Sequence, residues 1–158
     1  MRLLIQEARD AKVTVDGKTV GQIDKGEVVL VGFTNGDDEG IVDRMVDKLL
    51  KIRIFPDEKG LTNVNLASFG GNVLAVSQFT LYADMSQGNR PSFNKCLPKE
   101  QAKPLFDRFS ATIKQKLPQV QFGIFHADML VTFTNVGPFT ILLDSEELGY
   151  GKEKGDGH

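Results

Sequence analysis

Cysteine is nearly absent from this sequence, and so are long apolar runs. Cys96 is the one cysteine among 158 residues, so no disulfide can form within the chain, and a reducing cytosol is the expected compartment. No apolar run approaches the ~20 residues of a membrane-spanning helix. The opening residues, MRLLIQEARDAKV, become charged after a very short apolar stretch, which does not fit a signal peptide. We therefore expect a cytoplasmic protein with no membrane partner.

Histidine is also scarce, and this narrows the possible chemistry. The two histidines are His126 and His158, and the second lies in a Gly-rich C-terminal tail. A Ser-His-Asp or Cys-His arrangement would have to use His126, but a lone histidine beside an apolar strand is more often structural. Cys96 stands in a polar loop without a surrounding motif, which argues against a nucleophile.

Motifs for metals, nucleotides and dinucleotides are missing as well. No cluster of histidine, cysteine and carboxylate residues has the spacing of metal ligands. Neither a P-loop nor a GxGxxG motif occurs in the chain. We therefore expect no metal and no cofactor.

The charge balance is slightly negative. The formal net charge is −2, whereas proteins that bind nucleic acid mainly through phosphates carry a positive excess. Contact with RNA would have to come from a local patch or from recognition of a terminus. Five basic residues are candidates for such a patch, with ordinary solvated surface as the alternative: Lys48, Lys51, Arg53, Arg90 and Lys95.

The length and the composition, 41% hydrophobic and 25% charged, fit one globular domain. The apolar patterns predict the order strand, strand, strand, helix, strand, helix, strand, strand. Asp16-Gly17 predicts a hairpin turn, and Asp37-Asp38 predicts the cap of the first helix. We expect an α+β domain over residues 1–147, with a curved sheet covered by two main helices. Residues 148–158 are Gly-rich and charged, which predicts a disordered tail.

The sequence also predicts where one helix and three strands begin or end. The second helix contains Pro104, which predicts that the helix either starts or kinks there. Residues 72–81 predict one buried strand. Residues 129–134 and 139–143 predict two further strands that are separated by a turn.

Two polar segments do not fit a purely structural role. Ser77-Gln78-Phe79-Thr80 ends an apolar run, and such polar groups often line a site because burying them unpaired costs on the order of a few kcal/mol. The alternative is a strand whose Ser and Thr face water. Residues 135–140 contain Gly137-Pro138, a turn signal at which a cis peptide is affordable. The alternative there is an ordinary hairpin turn.

Together, the two segments resemble the motifs of the D-aminoacyl-tRNA deacylase family. Ser77-Gln78-Phe79-Thr80 is similar to the SQxT motif, and residues 135–140 are similar to the NxGPxT motif, in the same order and at the same separation. The resemblance covers residues 1–145. It includes Leu4-Ile5-Gln6, Val13-Thr14-Val15, Tyr82-Ala83-Asp84, Arg90-Pro91-Ser92-Phe93 and Ala127-Asp128-Met129.

The resemblance implies a homodimeric hydrolase with a barrel-like mixed sheet, which acts in translational proofreading. It would cleave the ester at the 3′ end of D-aminoacyl-tRNA and of mischarged glycyl-tRNA. Backbone N–H groups would stabilise the oxyanion, and the ribose 2′-hydroxyl of the tRNA would help to activate water. Phe79 and Met129 would contact the terminal adenine, with an ordinary place in the core as the alternative for Met129. The implied catalytic residues are Ser77, Gln78, Phe79 and Thr80.

Selection of the D form is implied for a second set of residues: Asn135, Gly137, Pro138 and Thr140. In the family picture, a cis Gly137-Pro138 peptide enters the partner's active site, where its carbonyls hold the substrate's amino group and exclude an L side chain. Rigid main-chain atoms cannot relax around the wrong enantiomer, so selection works by rejection. Glycine has no side chain to reject, which is why glycyl-tRNA is an expected substrate.

The sequence departs from the family at Glu7 and Val136, where members often carry Arg and Asp, and more mildly at Phe139, which is usually Val. The loop must therefore be anchored in another way, and the strictness of chiral rejection is in question. Two other functions stay open. One is a non-catalytic dimeric module that binds tRNA ends or nucleotides, and the other is an esterase that uses Thr80 or Ser77 on small substrates.

Overall fold

The computed structural model describes residues 1–151. A 3₁₀ turn at Phe79–Tyr82 follows the fifth strand. The strands are β1 (Arg2–Val15), β2 (Lys18–Gly32), β3 (Phe55–Pro56), β4 (Thr62–Val64), β5 (Asn72–Ser77), β6 (Gln121–Phe122) and β7 (Leu130–Asp144), and the helices are α1 (Glu39–Lys51), α2 (Leu66–Phe69) and α3 (Lys99–Lys116).

Five strands form one mixed sheet in the order β6-β5-β2-β1-β7. β1 pairs antiparallel with both of its neighbours, whereas the β2–β5 and β5–β6 pairs are parallel. β3 and β4 form a separate small hairpin. The predicted α+β class is confirmed, while the barrel-like closure and the dimer stay predictions.

Two local predictions are confirmed. β1 and β2 are joined at Asp16 and Gly17, whose φ angles of 50° and 77° are the positive values that a tight two-residue hairpin requires. Asp38 caps α1, where its side chain accepts a hydrogen bond from the N–H of Ile41 at 2.9 Å. The buried face of α1 follows the predicted spacing: Ile41, Val42, Met45, Val46 and Leu49.

Helix α3 begins five residues before Pro104, at Lys99, so the expectation of a start at the proline is wrong. The proline lies near the beginning of the helix, where it removes one hydrogen bond but does not end it. The helix buries Leu105, Phe106 and Phe109 against the sheet, together with Ala102 and Ile113.

Alternation along the strands divides the core between the two faces of the sheet. On β5, Val73 and Ala75 join the larger cluster, which α1 and α3 cover. Leu74 and Val76 face the opposite side, in a smaller cluster that includes Val13. A cavity lies at the end of β5.

Three predicted strand boundaries are wrong: the end at residue 81, the end at residue 134 and the start at residue 139. The strand predicted over 72–81 ends at Ser77, and the chain turns into the 3₁₀ turn. The two strands predicted over 129–134 and 139–143 are one strand, β7.

The predicted tail begins too early. Residues Leu148 and Tyr150 pack against the core, and the Arg44 guanidinium lies 4.2 Å from the centre of the Tyr150 ring. The N–H of Tyr150 also donates to the carbonyl of Ser145 at 2.9 Å. The rest of the predicted tail, residues 152–158, lies outside the described residues.

Candidate active site

A cavity of about 380 Å³ opens where β5 ends. Part of β2, the end of β5 and the segment before β7 line it. Its volume falls in the range that small-ligand sites occupy. Three of the four predicted catalytic residues line the cavity, namely Ser77, Gln78 and Phe79. The predicted adenine contact Met129 lines it as well.

The backbone leaves the sheet within this motif. The N–H of Gln78 donates to the Val31 carbonyl at 2.8 Å, which continues the pairing of β5 with β2. Phe79 and Thr80 then open the 3₁₀ turn, whose first N–H groups have no partner inside the turn. The Gln78 N–H is therefore committed to the sheet, whereas those of Phe79 and Thr80 remain candidates for oxyanion donors.

Aromatic rings form one wall of the cavity. The Phe79 side chain is 40% exposed, and its ring lies nearly parallel to that of His126, with centroids 6.0 Å apart and an interplanar angle of 10°. Behind this wall, the Phe93 ring, which does not line the cavity, meets Phe79 edge-on at 5.3 Å. Flat apolar faces that stay accessible to solvent suit the planar base of a nucleotide.

No nucleophile in the site is activated by a base. Within residues 1–151, no hydrogen bond joins His126 to Ser77 or Thr80, and Thr80 is exposed beside the cavity. Burial raises the pKa of the Cys96 thiol, which opposes thiolate formation. The arrangement therefore favours chemistry that positions a water molecule over chemistry that uses a covalent intermediate.

The structural interpretation of His126 stays a prediction, and the residue lies at the cavity. The side chain is exposed, it lines the cavity, and its φ of 62° places the backbone in the left-handed region. Sequence reasoning gave no reason to expect this, since the positive φ is set by the turn that ends at Ala127, whose N–H donates to the Ile124 carbonyl.

Gly123 is another residue that the sequence did not point to. A Cβ at this position would lie 2.6 Å from the Met129 sulfur. The glycine therefore allows Met129 to pack closely at the cavity. A glycine just before the turn at residues 124–127 was the available signal, but turns are a common place for glycine.

The Gly137–Pro138 peptide is cis and lies within a bulge of β7. Gln6 pairs with Thr140 and Ala8 pairs with Asn135, so Glu7 alone faces residues 136–139. The bulge exposes Gly137 and Pro138 at the edge of the sheet.

Asn135 ties this bulge to β1. Its side-chain N–H groups donate to the carbonyls of Glu7 and Phe139, both at 3.0 Å. Its side-chain oxygen accepts from Gln6 at 3.2 Å. The Thr140 hydroxyl lies 3.3 Å from both the Asn135 side-chain oxygen and the Pro138 carbonyl, and donates to one of them. The polar residues of the second motif thus hold the loop in one shape.

The two motifs do not form one site within a single chain. Asn135, Gly137, Pro138 and Thr140 are not among the residues that line the cavity. Gly137 has a φ of 116°, and a Cβ there would lie 2.5 Å from the nitrogen of Phe139, so only glycine fits.

A buried carboxyl lies beside the loop anchor. Glu27 pairs directly with Glu7 across β1 and β2, and neither Glu27 oxygen has a hydrogen-bond partner among the described residues. Burial raises the pKa of Glu27 to about 8. Burial also raises the pKa of Glu7, and the charge of Arg9 opposes this rise. Neither side chain donates to the loop; Glu7 contributes through its carbonyl.

The candidate basic patch is largely paired inside the chain. Lys51 lies 3.0 Å from Asp47, and Lys95 lies 3.7 Å from Asp84. Arg53 donates to the backbone and side chain of Asn63. The two aspartates partly offset the charges of Lys51 and Lys95, whereas the neutral Asn63 leaves the charge of Arg53 unchanged.

Residues 1–151 contain neither a cluster of metal ligands nor a membrane-spanning helix. No group of three or more His, Cys, Asp or Glu side chains is arranged to hold a metal ion. No helix in that range is long and apolar enough to cross a membrane.

The fold and the site define a class: an α+β domain with a cavity of about 380 Å³ at a strand end and a polar-anchored Gly-Pro loop on an edge strand. Residues 4–144 match the family described as D-Tyr-tRNA(Tyr) deacylase. The chain belongs to this family.

Similar proteins extend over nearly the whole chain. The D-aminoacyl-tRNA deacylase of Lactobacillus acidophilus is 46% identical over 91% of this chain and 99% of its own. That of Teredinibacter turnerae is 48% identical over 92% of this chain and 100% of its own.

Two solved structures share the fold. The c-Myc DNA Unwinding Element Binding Protein superposes with a TM-score of 0.86 at 33% identity, over 91% of this chain and 98% of its own. A probable eukaryotic D-amino acid tRNA deacylase superposes with a TM-score of 0.79 at 18% identity, over 90% of this chain and 97% of its own.

Proposed function

We propose that this protein hydrolyses the ester that links a D-amino acid to the 3′ end of tRNA. The observation that carries the proposal is the pairing of an aromatic-walled cavity at Ser77–Thr80 with an exposed loop at Gly137–Pro138 that Asn135 holds rigid. Relatives that are named D-aminoacyl-tRNA deacylase and match 91% and 92% of this chain support it.

The terminal adenosine occupies the cavity, with its base against Phe79 and Met129. The ester then lies near the start of the 3₁₀ turn, where the N–H groups of Phe79 and Thr80 stabilise the negative charge on the carbonyl oxygen. Water attacks the ester carbon, assisted by the ribose 2′-hydroxyl of the substrate. An aminoacyl ester is already activated, so positioning and oxyanion stabilisation suffice without a triad.

The loop selects the D form of the substrate in the cavity of a second copy of the chain. Gly137 and Pro138 are exposed and remote from their own cavity lining, which suits insertion into the cavity of a partner. Their carbonyls hold the substrate's amino group and leave no space for an L side chain. Rejection by fixed backbone atoms is insensitive to the identity of a D side chain, and it also admits glycyl-tRNA.

The test is hydrolysis of matched D-tyrosyl-, L-tyrosyl- and glycyl-tRNA by the purified protein without added metal. We expect rapid loss of the D and glycyl esters with the L ester spared. Equal loss of the D and L esters would keep the reaction but contradict chiral rejection. No loss of any ester would contradict the proposed activity.

One observation favours a second candidate, a non-catalytic module that binds nucleic-acid ends. A solved structure that is 33% identical carries the name of a DNA-element binding protein. Binding of adenosine or of a single-stranded end without ester turnover would support this candidate.

A further inference from the structure

A second, open groove of about 510 Å³ adjoins the cavity. It shares two residues with the cavity, Phe125 and His126. Its other side is the first part of α3, with Lys99 and Lys103. The proposed reaction does not use this groove.

His126 stands at the boundary between the two spaces. The side chain is exposed, although its backbone lies in the left-handed region that most residues other than glycine avoid. Its ring is nearly parallel to Phe79 on the cavity side, and its centroid lies 4.8 Å from that of Phe125. Residues held in such backbone conformations often occur at ligand sites.

We propose that this groove holds the nucleotide that precedes the terminal adenosine of the tRNA substrate, with its base stacked on His126 and Phe125. The inference rests on the proposed function, which places that adenosine beside Phe79. Because cavity and groove share one wall, successive nucleotides of a single strand can occupy them. Unpaired bases bind aromatic faces of this kind.

The charges of the groove indicate stacking more than phosphate attraction. Lys103 lies 3.0 Å from Asp107, and Glu100 and Asp107 line the groove beside the two lysines. The groove therefore has little net charge of its own. The contribution of His126 to substrate affinity should accordingly depend only weakly on salt.

The test compares two substrates: D-tyrosyl-tRNA, and the D-tyrosyl ester of adenosine, which lacks the preceding nucleotide. The measured quantity is the ratio of their kcat/KM values. His126→Asn removes the ring but keeps a residue that tolerates the left-handed region. We expect the ratio to fall about tenfold, through KM for the tRNA.

Two matched variants are measured beside His126→Asn. His126→Phe keeps a flat ring and should return the ratio to within about twofold of the wild-type value, because stacking needs only the ring face. Lys114→Ala changes an exposed lysine near the other end of α3 and should leave the ratio unchanged. Thermal unfolding of each variant checks that the fold is intact.

Three results would overturn the inference. An unchanged ratio in His126→Asn would do so, as would an equal loss on both substrates, since that places His126 against the adenosine itself. Failure of His126→Phe to restore the ratio, in a protein whose thermal unfolding matches that of the wild type, would exclude stacking.

If the wild-type protein hydrolyses neither substrate, the proposed function fails and the groove is not yet tested. In that case, binding of a CCA trinucleotide is compared with binding of adenosine. Loss of trinucleotide affinity alone in His126→Asn supports the groove, and unchanged affinity overturns it.

Discussion

Glu7 and Glu27 lie directly opposite each other on β1 and β2, and directly opposed residues share one face of a sheet. Glu27 is fully buried. Neither Glu27 oxygen has a hydrogen-bond partner among the described residues, so the ionised carboxylate would be buried without compensation. Burial raises the pKa of Glu27 to about 8, so this side chain keeps its proton at neutral pH.

The free energy of unfolding should therefore fall as pH rises from about 4.5 to about 8. In this window the folded chain holds a proton that the unfolded chain has released. The total change is on the order of 5 kcal/mol for a shift of this size. Glu27→Leu removes the effect, so its stability relative to the wild type should increase with pH.

Urea unfolding at several pH values across this window measures the difference between the two proteins. Glu58→Gln, which removes a carboxyl at an exposed position, is the control. A Glu27→Leu difference that stays constant over the same window would show that Glu27 does not titrate in this way.

Asn135→Ala should weaken chiral selection. The substitution leaves the carbonyls of Glu7 and Phe139 without their donor, and the loop gains freedom. We expect the D-to-L ratio of kcat/KM for tyrosyl-tRNA to fall at least about tenfold, which corresponds to the loss of one or two hydrogen bonds. Thr132→Ala, an exposed change on the same strand, is the control. An unchanged ratio in a stably folded Asn135→Ala protein would exclude the anchoring role.

Thr80→Ala should keep most of the activity. The hydroxyl has no base to activate it, whereas the backbone N–H is retained. We expect a loss of less than about tenfold, compared with about a millionfold when a true serine nucleophile is removed. Single-turnover hydrolysis of D-tyrosyl-tRNA measures this, with Thr80→Ser as the hydroxyl-retaining control. Near-complete inactivation of the alanine variant alone would favour the esterase alternative.

Phe79→Ala should raise KM with little change in kcat. The variant loses the exposed ring against which the terminal adenine packs, and stacking on one aromatic ring is worth about tenfold in affinity. Phe93→Ala is the matched control, since Phe93 contacts Phe79 but does not line the cavity. Equal effects of the two variants would indicate that Phe79 acts through local packing.

Local signals were sufficient for α1 and for the first hairpin. Asp38 and the apolar spacing on α1 act within a few residues of each other, so a sequence pattern contains all the information needed. The same holds for Asp16-Gly17. The two family-like motifs, residues 77–80 and 135–140, could also be found in the sequence, because each is continuous in the chain.

Tertiary contacts decided the rest. The 3₁₀ turn packs against Gly32, where a Cβ would come within 3.0 Å of the Gln78 carbonyl oxygen, and no local pattern reveals this approach. Strand β7 continues through Pro138 because β7 is an edge strand of the five-stranded sheet, where a missing N–H costs little. Tyr150 is ordered by Arg44, which lies far away in sequence.

The placement of the Gly-Pro loop outside its own cavity lining has a genetic consequence. If the loop acts in a second copy, a chain with a damaged loop spoils its partner's site and leaves its own site to be completed by an intact neighbour. A loop mutant and a cavity mutant would then complement each other when they are mixed, while two loop mutants would not. Whether a defective chain contributes to an active site would therefore depend on the chain with which it pairs.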